Sequence, residues 1–186
     1  MKSHAFVGAI CTAIFICNYS HADDIDPKAS AFAKNYSDIC IRNLPDLEAL
    51  RVRLSASLPK FPPGQAAHFL QGKEGDAWPI PSKEDKGNFV LTLLEKKNVC
   101  SLYGRRANAK DVEKLFSQLV GRAPQPLTSE RKEDVWMDPA DHGKGHIISY
   151  VWSLPDVKRK FLFMLTTSES DNADAQAFAT ASTISE

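Results

Sequence analysis

Two cysteines constrain this chain most. Cys40 closes an apolar stripe at helical spacing, and Cys100 sits on the apolar side of a strand that alternates. A fold that joins them must lay a helix against a sheet. The first 22 residues decide whether they join. Lys2 gives a positive start, residues 5–17 run uncharged, and Ser20-His21-Ala22 places small residues before Asp23-Asp24. This is the pattern of an export signal cleaved after Ala22, leaving residues 23–186 as one secreted domain. The uncharged run of 13 residues is short for a membrane span. Cys11 follows Ile10 and Cys17 follows Phe15-Ile16, so neither has the small residues that precede a lipidation cysteine. Cys11 and Cys17 leave with the signal, and in an oxidising compartment the remaining two thiols pair. A Cys40–Cys100 bridge closes a loop worth about 4 kcal/mol on chain-entropy reasoning. The competing readings are redox catalysis, which lacks C-x-x-C spacing, and two buried thiols.

Local patterning places the elements. Asp26-Pro27 starts a helix carrying Ala29, Phe32, Ala33, Tyr36 and Cys40 on one face. Asn43-Leu44-Pro45 restarts a second, with Leu47, Leu50, Leu54 and Leu58 inward and Glu48, Arg51 and Arg53 toward water. A short third piece spans residues 64–71. Residues 73–86 read as a polar loop. Residues 88–94 and 99–104 form a hairpin, with Leu93 facing Cys100, Leu91 facing Leu102 and Phe89 facing Gly104. Asn108 caps a fourth helix, with Asp111 in the place of a capping-box acid. Residues 122–144 read as irregular. A second hairpin pairs residues 146–153 with 160–168, and Phe161-Leu162-Phe163-Met164-Leu165 reads as a central strand covered on each side. Residues 171–181, capped and rich in alanine, suggest a last helix. The expected architecture is α+β, with about four antiparallel strands in two hairpins and helices before, between and after them.

Charge narrows the function. Without Lys2 the chain carries 22 basic and 23 acidic residues. That is no surplus for binding nucleic acid. Candidate metal ligands are Asp138, Asp141, His142 and His146, set among glycines that let a loop wrap an ion. The helical H-E-x-x-H spacing is absent, and a solvated loop has the same composition. No G-x-S-x-G is present for nucleophilic catalysis, and His68 reads as a helix-surface residue. Trp78 and Trp136 lie in loops on this reading, either as anchors for a partner or as plugs onto the core. Basic residues collect at Lys96-Lys97, Arg105-Arg106 and Lys158-Arg159-Lys160, either to grip an anion or to guard strand ends. The hydroxyl-rich Thr166-Thr167-Ser168-Glu169-Ser170 closes the last predicted strand, where sites often form. No cofactor motif is present.

The order Ala77-Trp78-Pro79-Ile80-Pro81, Gly87-Asn88-Phe89-Val90-Leu91, Val99-Cys100-Ser101-Leu102-Tyr103, Val112-Glu113-Lys114-Leu115-Phe116, Tyr150-Val151-Trp152 and Thr166-Thr167-Ser168 resembles a family of small secreted proteins and lipoproteins of proteobacteria, found in Neisseria among others. The resemblance implies bacterial export and a compact domain. It transfers no activity or site residue, and the lipidation cysteine of the lipoprotein members is missing here. The expected function is that of a non-enzymatic periplasmic or secreted binding protein, of inhibitor or immunity type, with a protein or cell-envelope component as its partner. The alternatives are a cell-envelope hydrolase with an unrecognised site and a carrier of a small ligand.

Overall fold

The computed structural model describes residues 24–82, 89–137 and 144–185. The export-signal reading of residues 1–22 lies outside them. Helix α1 (Pro27–Asn35) begins as expected, with Asp26 accepting from the N–H groups of Lys28 and Ala29 and Pro27 in the first turn. The chain continues as a π-helical segment, Tyr36–Ile41. Ala29, Phe32, Tyr36 and Cys40 are all buried along this rod. Asn43 closes it, its amide donating to the carbonyls of Asp38 and Ile39. Helices α2 (Leu47–Ser57) and α3 (Pro63–Leu70) follow, the first capped by Asp46 and the second ended by Gln71 in the left-handed region. Helix α4 (Ala109–Val120) buries Val112, Phe116 and Val120.

The strands are β1 (Gly75–Ile80), β2 (Phe89–Leu94), β3 (Val99–Gly104), β4 (Thr128–Met137), β5 (Gly145–Ser153), β6 (Arg159–Ser168) and β7 (Ala177–Ser185). They form one antiparallel sheet in the order β1-β2-β3-β7-β6-β5-β4. After the β1–β2–β3 meander, α4 carries the chain to the far edge. It then returns strand by strand until β7 closes the middle against β3. The β2–β3 register is the expected one, with Leu93 opposite Cys100, Leu91 opposite Leu102 and Phe89 opposite Gly104.

The α+β class holds, but the expectation of about four strands falls short by three, each for a physical reason. Strand β1 is an edge strand, where Pro79 is tolerated because one row of backbone groups needs no partner. Strand β4 is the other edge and has no apolar alternation to reveal it. The tail is not helical: Ala177, Ala179 and Ala181 are buried at period two, small enough to lie under the α1 rod. Tyr36 marks the approach, its hydroxyl donating to the Thr180 carbonyl at 2.6 Å. Strand β6 is central, yet of its expected two-sided run only Phe163 and Leu165 are buried, while Phe161, Leu162 and Met164 are half-buried.

One face of the sheet carries the main core. Phe32, Tyr36 and Phe116 from the helices meet Trp78, Phe89, Leu91, Leu102, Phe163 and Leu165 from the strands. Gly104 makes room there, since a Cβ at that position would lie 2.6 Å from the Phe32 ring. The Cys40–Cys100 disulfide joins the π-helical segment to β3, with Cα atoms 5.4 Å apart. On the opposite face α3 packs Ala66 and Leu70 on Ala77 and Val90, with Phe61, Phe69, Leu94 and Tyr103 around them. Among the described residues, no helix is long and apolar enough to cross a membrane.

Candidate functional site

Strand ends are where polar side chains escape the core, and one end of this sheet gathers the chemistry. There β3, β4 and β6 end and β5 and β7 begin. His146, second in β5, is buried on the helix-bearing face. Its register partners are Trp136 on β4 and Thr167 on β6. Asp134 Oδ1 lies 2.6 Å from Nε2 of the ring. Glu113 of α4 places a carboxylate oxygen 3.0 Å from Nδ1, off the line of a ring N–H, so this close contact is not a hydrogen bond. The Trp136 indole stacks on the imidazole at 4.0 Å with the planes 6° apart. Thr167 donates to Glu113, and Arg131 pairs with Asp134 at 2.9 Å. The result is a polar seam that ties α4 to the edge of the sheet beneath a half-exposed indole.

Asp138, Asp141 and His142 of the expected metal set lie outside the described residues. His146 is described, and both its ring nitrogens face carboxylates. Among the described residues, no group of three or more His, Cys, Asp or Glu side chains is arranged to hold an ion. The carboxylates of Glu113 and Asp134 are engaged with His146, Thr167 and Arg131 rather than aimed into an open cavity.

The α3 side of the same strand ends holds a cleft of about 350 Å³. Phe69 of α3, Tyr103 of β3 and Phe178 of β7 supply aromatic walls, and Met137, Gly145 and Thr166 close it on the β4 side. Tyr103 packs at 4.4 Å on Phe178 with the rings tilted by 35°, and meets Phe69 edge to face at 5.5 Å. Its hydroxyl donates to the Phe69 carbonyl at 2.7 Å, and burial pushes its pKa up to about 12. His68 and Asp174 stand 3.9 Å apart, both exposed and both lining the cleft. The hydroxyl-rich strand end therefore serves both faces, with Thr167 in the seam and Thr166 and Ser168 lining the cleft.

No family model, curated protein or solved structure matches this chain.

The remaining sequence candidates separate. Trp78 is wholly enclosed in the main core, so its ring acts as the plug of the two roles weighed for it. Trp136 is 57% exposed. Arg105 and Arg106 are exposed on the loop after β3. Arg106 lines a more open cleft between the starts of α1 and α4, where Lys28 and Lys110 face Asp26, Glu169 and Asp171. The two helix starts cap each other: the N–H of Asp26 donates to Asp111, and the N–H of Asn108 donates to Asp26. The expected box around Asp111 is thus exchanged between helices. Lys96-Lys97 and Lys158-Arg159-Lys160 lie at the other end of the sheet, since Val99 pairs with Ser182 and Arg159 with Ser185. The three basic clusters do not converge.

Glu113, Asp134 and the Phe69–Tyr103–Phe178 wall were not singled out from sequence. A carboxylate on the flank of an amphipathic helix, or in a run of charges such as residues 130–134, carries the same signal as a solvated surface.

Proposed function

We propose that this protein is a non-enzymatic, periplasmic or secreted binding protein of the bacterial envelope, of inhibitor or immunity type, that receives a partner's apolar group in the aromatic-lined cleft. The observation that carries this reading is the cleft itself. It opens where strand ends meet, on the sheet face that α3 covers only at the β1–β2 side. Its walls are aromatic and its rim polar, the composition of a recognition surface. The Cys40–Cys100 bridge supports a place of work outside the cytosol. Membership of the proteobacterial family of secreted proteins belongs to the same proposal.

The test is capture from a periplasmic extract with the tagged, oxidised protein, alongside Thr166→Arg. Thr166 lines the cleft on the sheet face opposite the main core, so the longer side chain fills the cleft without entering that core. A defined partner held by the wild type and lost with Thr166→Arg supports the reading. Background alone with both proteins, or equal capture by both, rejects the cleft as the site.

A further inference from the structure

We infer that β4 is a self-pairing edge, and that two copies of this chain join there into one continuous sheet about a two-fold axis between Lys132 and Glu133. This inference does not rest on the function proposed for the cleft, with which β4 shares Met137.

Strand β4 is the last in the sheet, so one row of its N–H and C=O groups points away from β5 toward an added strand. Nine of its ten residues are exposed, Ser129 being half-buried. Among them are Val135, Trp136 and Met137, which belong to the small set of large apolar side chains exposed on the described surface. A second copy related by a two-fold axis normal to the sheet runs antiparallel, with its helices on the same side. Residues that meet must then share a face. In a regular strand, positions an odd number apart lie on opposite faces. An axis midway between two residues would therefore be forbidden.

The β-bulge between Arg131 and Glu133 lifts this restriction. Arg131 and Asp134 are three positions apart, yet both lie on the helix-bearing face, opposite Tyr150 and Ile148. Glu130 and Val135 share the other face, opposite Val151 and Ile147. Lys132 joins that face, its ammonium reaching the Glu130 carboxylate at 2.6 Å. Ser129 and Trp136 again share the helix-bearing face.

Charge then selects the register. With the axis between Lys132 and Glu133, Arg131 meets Asp134 of the second copy and Lys132 meets its Glu133, each twice by symmetry. Glu130 meets Val135, Ser129 meets Trp136 and Thr128 meets Met137, so all ten residues are used. Moving the axis one residue back sets Glu130 against Glu133 and Arg131 against Lys132. Moving it one residue forward sets Glu133 against Asp134. Like charges directly opposite destabilise a pair, and opposite charges stabilise it. A run of charges on an edge repels most strands. This run is complementary to itself in the one register that its bulge allows and its whole length fills.

Sedimentation of the purified, oxidised protein from about 1 μM to about 1 mM, the range in which weak interfaces associate, tests the inference. Lys132→Glu and Glu133→Lys are each compared with the wild type, and then mixed in equal amounts. The expected result is a monomer–dimer equilibrium in the wild type, a dissociation constant raised at least about tenfold in each variant alone, and association restored on mixing. Restoration on mixing cannot arise from a change confined to one chain. A monomer at every concentration overturns the inference. So does a dimer that neither substitution weakens, which would place the contact elsewhere.

Discussion

The two edges of the sheet solve one problem by opposite means. At β1 the edge is closed by packing. Trp78 is fully enclosed, and Asp76 is clamped by Lys60 at 2.9 Å and by Arg51. Arg51 also donates to the carbonyls of Leu93 and Leu94, bracing α2 against the β1–β2 pair. At β4 the edge is left in solvent and is governed by charge and a bulge. The difference teaches that an edge next to a helix layer can be made part of the core, whereas an edge beyond that layer must be managed by what it repels and admits.

The sharpest way to break the contrast is to remove the two tryptophans in turn. Trp78→Ala is expected to cost about 4 kcal/mol, the range for a large buried aromatic, read as a fall in the denaturant midpoint at constant slope. A cost below about 1 kcal/mol would mean that the β1 edge is not held by its core ring.

Asp76→Asn comes next, at about 2 kcal/mol near neutral pH, as expected for hydrogen bonds to a partly buried charge. Burial raises the Asp76 pKa, but the bonds from Lys60 and Arg51 outweigh it and the net shift is downward. A carboxyl lowered in the folded state contributes stability above its unfolded value, about 3.9, and loses it as the pH falls through the folded value. The gap between wild type and Asp76→Asn in urea melts should therefore be full at pH 6 to 7 and shrink below about pH 4. A gap that does not change with pH would assign the cost to packing instead.

Trp136→Ala is the smallest effect, about 1 kcal/mol or less, because the indole is largely exposed and loses mainly its stack on His146. Thermal melts of Trp78→Ala and Trp136→Ala side by side test the whole comparison. Equal losses would erase the distinction between a packed edge and a charged one.

The same contrast explains what was legible beforehand. Elements that bury one face announce themselves by period. The α1 stripe and the β2–β3 register were readable because desolvation selects their residues at fixed spacing. The edges were not. Strand β1 hid behind Pro79, and the exposed β4 shows no alternation because neither of its faces is strongly buried. The alanines of β7 favour helix by local propensity. They form a strand instead, between β3 and β6, where small side chains lie beneath the α1 rod. Arg51 looked solvated from its helix position and is only 15% exposed, since the β1–β2 carbonyls and Asp76 reach it from outside α2. His146 stood out as a titratable residue, but Glu113 and Asp134 could not be joined to it without knowing that α4 crosses toward β4.

What the sequence by itself determined is local: where helices begin, which strand face is apolar, and that Cys40 and Cys100 end on surfaces able to meet. Each follows from desolvation and capping within a few neighbouring residues. The tertiary structure decided the rest. It inserted β7 between β3 and β6, set Glu113 and Asp134 about one imidazole, and left β4 as the open edge. Those outcomes depend on contacts between residues far apart in the chain, whose partners no local pattern encodes.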